Sequence, residues 1–229
     1  MHIQNFVFLF EMFKKISTLF LMTIAISIMM AHNIRNPAYL VDLLYYLISN
    51  TGNLFSYKRL GEQIGISTDT VREYIDCALD AYLLYPVLKY DPSVKKQLYN
   101  MKKLYCIDTG LVNAVSFKFS ENAGKILENY VFTTLIRRKE SSVFYHQLRY
   151  ECDFLIQENH RIAGAIQVCI STKDPDVRKR EVRGLIDAME SHPGAVGYIL
   201  TMNESEKLEV NDKIIQIMPA YEYAEKNKK

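Results

Sequence analysis

The stretch from Gly124 to Ser171, GKILENYVFTTLIRRKESSVFYHQLRYECDFLIQENHRIAGAIQVCIS, decides the fold. Its first part has a period near 3.6, with Ala123, Leu127, Tyr130, Val131 and Leu135 in one apolar stripe, and predicts a helix. The runs VFYHQ, YECDFLIQE and IAGAIQVCIS alternate with period two and predict three strands. Glu128 lies beside Val131, Phe132 and Leu135 on the helical wheel, where a carboxylate is costly unless something pairs or binds it. In the second strand Asp153 shares a face with Glu151, Leu155 and Gln157, and in the third Gln167 shares one with Cys169 and Ser171. If these strands are neighbours, Asp153, Gln167 and Cys169 project to one side, within reach of Glu128.

The rest of the composition is that of an ordinary folded chain. It has 229 residues, 49% of them hydrophobic and 24% charged, which suits one large or two small domains and excludes a disordered chain. A net charge of +2 is too weak to announce a nucleic-acid binder, so any such contact must come from local patches. Cys77, Cys106, Cys152 and Cys169 are widely spaced, which suggests neither a zinc site nor a disulfide framework and fits a reducing, cytoplasmic compartment.

Residues 1–31 form a separate apolar segment. The run NFVFLFEMF precedes Lys14 and Lys15, and ISTLFLMTIAISIMMA follows without a charge. A basic pair before an apolar run resembles a signal peptide or a short anchor, but the run is shorter than the roughly 20 residues of a spanning helix. A helix that packs on a neighbouring domain is the favoured alternative to membrane attachment.

From Asn36 the pattern becomes regular. Pro37 opens a helix carrying Leu40, Leu44, Leu47 and Ile48; Ser56 caps a second; and after Gly65-Ile66, Ser67 caps a third with Val71, Tyr74, Ile75 and Ala78 inward. Two strands, YPVLKYD and KKLYCID, flank PSVKKQLYNM, which reads as a wing. A winged helix-turn-helix is thus expected over 36–110. Thr68 and Arg72 on the third helix, and Lys95, Lys96, Lys102 and Lys103 around the wing, are its candidate contacts to double-stranded DNA. Glu73, Asp76 and Asp80 make the same helix acidic, and docking a protein is an equally good use of such a module. Beyond the central stretch, a helix over 177–191 carries Arg178, Lys179, Arg180 and Arg183. AVGYILTM and KIIQIMPAYEY read as strands, completing an α-β-β-β-α-β-β order over 120–221. Arg180 or Arg183 is placed to reach the polar cluster.

A helix carboxylate, a strand Asp and a following x-Val-x resemble the PD-(D/E)XK restriction-endonuclease-like fold, an α/β (α+β) mixed sheet flanked by helices. The resemblance implies catalytic roles for Glu128 and Asp153, and a Mg²⁺ or Mn²⁺ ion held between them. The (Asp/Glu)-x-Lys positions hold Gln167 and Cys169 instead, so the implied active site is degenerate. Over residues 33–219 the motifs GNLFSYKRLGEQIGISTDTVREYID, KKLYCIDTGL, LENYVFTTLIRR, YECDFLIQE, IQVC and REVRGLIDAM resemble the C-terminal region of prokaryotic AAA+ family ATPases. There a winged helix and a nuclease-like domain follow a P-loop domain. No G-x-x-x-x-G-K-[ST] stands here, since Gly124-Lys125-Ile126 lacks the hydroxyl and the leading glycine. No nucleotide site or ATPase activity is expected, and residues 1–31 fall outside the family pattern. The favoured expectation is a truncated, non-enzymatic module that binds DNA or a protein partner. The alternative is a Mg²⁺-dependent nuclease using Glu128 and Asp153.

Overall fold

The computed structural model describes residues 15, 19–32, 34, 36–115, 119–138 and 141–226, so the apolar run 5–13 lies outside the described residues. The chain divides into two compact units, one of residues 1–86 and 102–122, the other of residues 87–101 and 123–229.

In the first unit residues 19–32 form helix α1, with Leu21, Ala25 and Ile28 buried and Leu19, Ile26 and Met30 exposed on the opposite side. Among the described residues no helix is long and apolar enough to cross a membrane. Helix α2 (Pro37–Ser49) starts on its proline and buries Leu40, Leu43, Leu44, Leu47 and Ile48. A two-residue strand, β1 (Leu54–Phe55), precedes α3 (Tyr57–Ile64). Gly65 ends α3 in the left-handed conformation (φ 83°), which glycine adopts without strain. Gly61 is needed for a second reason: a Cβ there would stand 2.6 Å from the Ile66 carbonyl oxygen. The turn therefore closes tightly on α4 (Thr68–Asp80), whose cap is made as expected, with Ser67 Oγ accepting the Thr70 N–H at 3.0 Å. Strand β2 (Leu84–Lys89) leaves this unit at Pro86. Strand β3 (Lys102–Cys106) pairs antiparallel with β1 and leads into α6 (Thr109–Val115).

The segment read as a wing differs from expectation. It forms a short helix, α5 (Val94–Tyr99), and clusters with the second unit. The cause is local: Asp91 Oδ1 accepts the Ser93 N–H at 2.8 Å, and Gln97 Nε2 donates to the Asp91 carbonyl at 2.6 Å. An Asp turn followed by Lys-Lys-Gln-Leu starts a helix more readily than an open hairpin loop.

In the second unit helix α7 (Phe119–Leu135) precedes strands β4 (Ser141–Gln147), β5 (Glu151–Glu158) and β6 (Arg161–Val168). The helix and three strands fall where the sequence pattern puts them. Helix α8 (Pro175–Ser191) then leads to β7 (Val196–Thr201), β8 (Glu206–Val210) and β9 (Lys213–Pro219). The order is β4-β5-β6-β7-β9-β8, mixed in sense: β4, β5 and β6 run antiparallel, β6, β7 and β9 parallel, and β8 antiparallel to β9. The final segment is half strand and half helix, since α9 (Ala220–Lys226) follows Pro219, and strand β8 has no counterpart in the expected order. Leu155, Ala165, Ile199, Ile215 and Ile217 pack with Leu185, Ala188 and Met189 of α8 on one face of the sheet. Phe132 of α7 stacks on Phe154, which alternates to the other face.

Candidate functional site

Alternation along β5 and β6 brings Asp153 and Gln167 together, at the point where regular pairing of the two strands ends. The ladder runs from Glu158↔Arg161 to Phe154↔Ile166. Beyond it, side chains replace main-chain bonds. Gln167 Oε1 accepts the Asp153 N–H at 2.8 Å, and Gln167 Nε2 donates to the Glu151 carbonyl at 3.1 Å. In return Asp153 Oδ2 accepts the Val168 N–H at 2.9 Å. Gln167 is only 4% exposed, so its amide stands in for a stretch of backbone where a buried strand would otherwise leave polar groups unmatched. Helix α8 closes the site through Gly184, where a Cβ would run into the Glu151 carbonyl oxygen and the Gln167 amide nitrogen.

Two further groups face the same cluster from α8. Glu181 is 4% exposed, and burial pushes its carboxyl above the ordinary carboxylate range. The Asp153 and Glu151 charges push the same way, against the pull of Arg180. Arg180 donates to Glu181 Oε1 from Nε at 2.9 Å. Burial, reinforced by the Glu181, Glu204 and Asp153 charges, pushes the Cys169 thiol up to about 12. Cys169 is thus a neutral thiol, with neither the charge nor the nucleophilicity of a thiolate. At the end of β6, Glu204 accepts from Ser171 Oγ at 2.5 Å and from Thr172 N and Oγ1 at 2.8 and 2.6 Å. These donors hold its carboxyl below the usual range despite the opposing effect of burial.

Glu128 is half-buried on α7, one turn before the Phe132 ring that stacks on Phe154. Among the described residues no group of three or more His, Cys, Asp or Glu side chains is arranged to hold a metal ion. Of the two arginines singled out, Arg180 joins the cluster, while Arg183 lies over the Tyr150 ring at 5.0 Å. Sequence pattern alone missed Glu181, although its position is readable: it precedes Gly184, Leu185 and Ala188 by three, four and seven residues, on the buried face of α8.

A second buried cluster centres on Asp187. Its Oδ2 accepts the Arg149 and Tyr150 backbone N–H groups and faces His146 Nε2, each at 3.1 Å, while Oδ1 accepts Arg149 Nε. One α8 carboxylate thereby fixes the β4–β5 turn. Burial lowers the His146 pKa against the pull of Asp187, and burial together with His146 lowers that of His192.

The candidate DNA contacts differ widely in exposure. Thr68 is half-buried at the start of α4, and Arg72 is exposed with its guanidinium 4.6 Å from the Tyr57 ring centroid. Lys102 Nζ lies 5.8 Å from the same ring, and burial, then Arg72, lowers its pKa. Lys95 and Lys96 are exposed on α5, whereas Lys103 is 2% exposed. Along α4, Asp69, Glu73, Asp76 and Asp80 form one exposed acidic stripe.

The molecule is thus a mixed α/β protein of two units. Residues 14–122 match the family model described as a domain of unknown function (DUF8612). That match takes in the apolar segment from residue 14 onward. An uncharacterized protein of Methanocaldococcus jannaschii is 32% identical over 209 residues, covering 84% of this chain and 46% of that relative. An uncharacterized protein of Haemophilus influenzae is 28% identical over 110 residues, covering 46% of this chain and 28% of that relative. The chain spans less than half the length of these curated relatives. No solved structure matches.

Proposed function

We propose that this chain is a non-catalytic module that binds a protein partner and has no nucleotide-hydrolysing activity of its own. One observation carries the reading: where the resembled nucleases hold a metal, Asp153 and Gln167 are engaged in tying β5 to β6. A hard divalent cation takes several oxygen ligands. Here the Gln167 carbonyl oxygen and Asp153 Oδ2 each already accept a backbone N–H, Cys169 is neutral, and a guanidinium lies beside them. That donor set fits Mg²⁺ or Mn²⁺ poorly. The resemblance to ATPase C-terminal regions, and the greater length of the relatives, support a module that works beside another domain or chain.

For the partner, the acidic stripe of α4 opposes phosphate and the burial of Lys103 removes one candidate cation, which favours a protein over duplex DNA. The nuclease reading keeps one specific support, the Asp153 and Glu151 charges that act on the buried Glu181 carboxyl. A plasmid-nicking assay on the full chain with Mg²⁺ or Mn²⁺ separates the two. No nicking above buffer is expected, and nicking that disappears in Asp153→Ala overturns the proposal.

A further inference from the structure

We infer that α5 and its flanks form a docking surface for a protein segment bearing carboxylates beside apolar side chains, an inference that rests on the binding-module reading above and names its surface. Four large side chains stand out here: Val94 is 68% exposed, Leu98 60%, Tyr99 81% and Met101 48%. Lys95 and Lys96 are exposed among them, and residues 92–101 contain no acid. Exposed apolar groups scattered singly need no explanation, but four within eight residues, rimmed by one sign of charge, are the makings of an interface.

The backbone under this surface is held from behind. The Asp91 turn and the Gln97 side chain fix the start of α5, and the hydroxyl of Tyr145, itself 1% exposed, donates to the Met101 carbonyl at 2.6 Å. The Tyr90 N–H donates to the Tyr145 carbonyl at 2.9 Å, tying the segment to β4 at both ends. The apolar groups are therefore presented by an ordered segment, and a partner loses less entropy on docking than it would on a floppy loop.

Charge decides the occupant's chemistry. Two lysines beside Val, Leu, Tyr and Met complement carboxylates set among apolar side chains, with the aromatic and Met groups as anchors and the lysines as rim. Duplex DNA would use the lysines and leave the apolar groups in water. Binding to a lipid surface scales with the apolar area inserted into it, and α5, with six residues, is less than two turns long.

The test is fluorescence anisotropy on the full chain with a short labelled peptide of alternating Glu and Leu or Phe, against the same peptide with Lys for each Glu. Labelled duplex DNA and phosphatidylserine vesicles form parallel arms. The acidic peptide is expected to bind and to weaken with salt, by about tenfold or more in K95E/K96E and again in V94S/Y99S, while the Lys peptide does not bind. Circular dichroism and thermal melting check that the variants are folded, and the peptide charge reversal tests complementarity without altering the protein. Absence of acidic-peptide binding, equal binding of both peptides, or tighter binding of duplex or vesicles through the same lysines overturns the inference. None of these outcomes bears on plasmid nicking, so the non-catalytic reading stands or falls separately.

Discussion

Gln167 shows what a single residue contributes when a strand ladder stops short. Its amide makes two bonds that backbone would otherwise make, both in a buried setting. Gln167→Leu removes both while leaving the Asp153 N–H and Glu151 carbonyl without these partners. A loss of about 1–3 kcal/mol is expected in urea unfolding, against near-neutral effects for exposed changes such as Lys179→Gln. Glu181 is expected to behave oppositely. Its folded pKa is raised, so its contribution to stability is full below its unfolded value and declines as pH rises through the folded one. Glu181→Gln, which keeps the shape and removes the buried charge, is expected to flatten that decline, so the variant gains on wild type as pH rises above the carboxylate range. Unfolding midpoints across a pH series check this. Period-two alternation was enough to place Asp153 and Gln167 on one face. Their role as a tie was not legible, because it depends on where β5 and β6 part, a matter of three-dimensional register.

At the scale of elements, α8 organises the second unit by coming unusually close to the sheet. Gly184 leaves room for the Glu151 carbonyl and the Gln167 amide, so Gly184→Ala must push the helix outward. A cost of about 1–3 kcal/mol in chemical denaturation is expected, although alanine is the better helix former. From the same helix Asp187 holds the β4–β5 turn. Burial opposes its ionisation, but the Tyr150 N–H, His146 and Arg149 outweigh that and keep its pKa low. The folded pKa values of His146 and His192 are lowered too, so the unfolded chain takes up protons first. Stability is thus full above the ordinary histidine range and falls as pH drops through it, with the loss of Asp187 pairing following at lower pH. In a pH series His192→Phe is expected to remove part of the first phase and leave the second. Helices with caps and long apolar stripes were legible from the sequence. Strand β8 was missed although Asn211-Asp212 marks its turn, both residues having positive φ (50° and 58°). Its alternation rests on Leu208 and Val210 alone, too short a run to stand out from a loop.

Across the whole molecule the apolar N-terminal segment is the part whose role the sequence left open, since an uncharged apolar run reads equally as anchor, signal or packed helix. The described part is a helix with two distinct sides, Leu21, Ala25 and Ile28 buried and Ile26 and Met30 exposed, and the family match begins before it, at residue 14. A segment that only delivered the chain to a membrane would tolerate polar changes equally on either side of the helix as far as folding is concerned. A packed helix would not. Ala25 is 1% exposed, so Ala25→Asp buries a carboxylate with no prepared partner, at about 3 kcal/mol or more. Ile26 is 53% exposed, and Ile26→Asp is expected to change stability by about 0.5 kcal/mol or less. Urea unfolding of the two neighbouring variants gives the comparison. Equal midpoints would mean that α1 contributes nothing to the fold, whereas a loss confined to Ala25→Asp makes the helix part of the domain and leaves its outer apolar side open to a separate role.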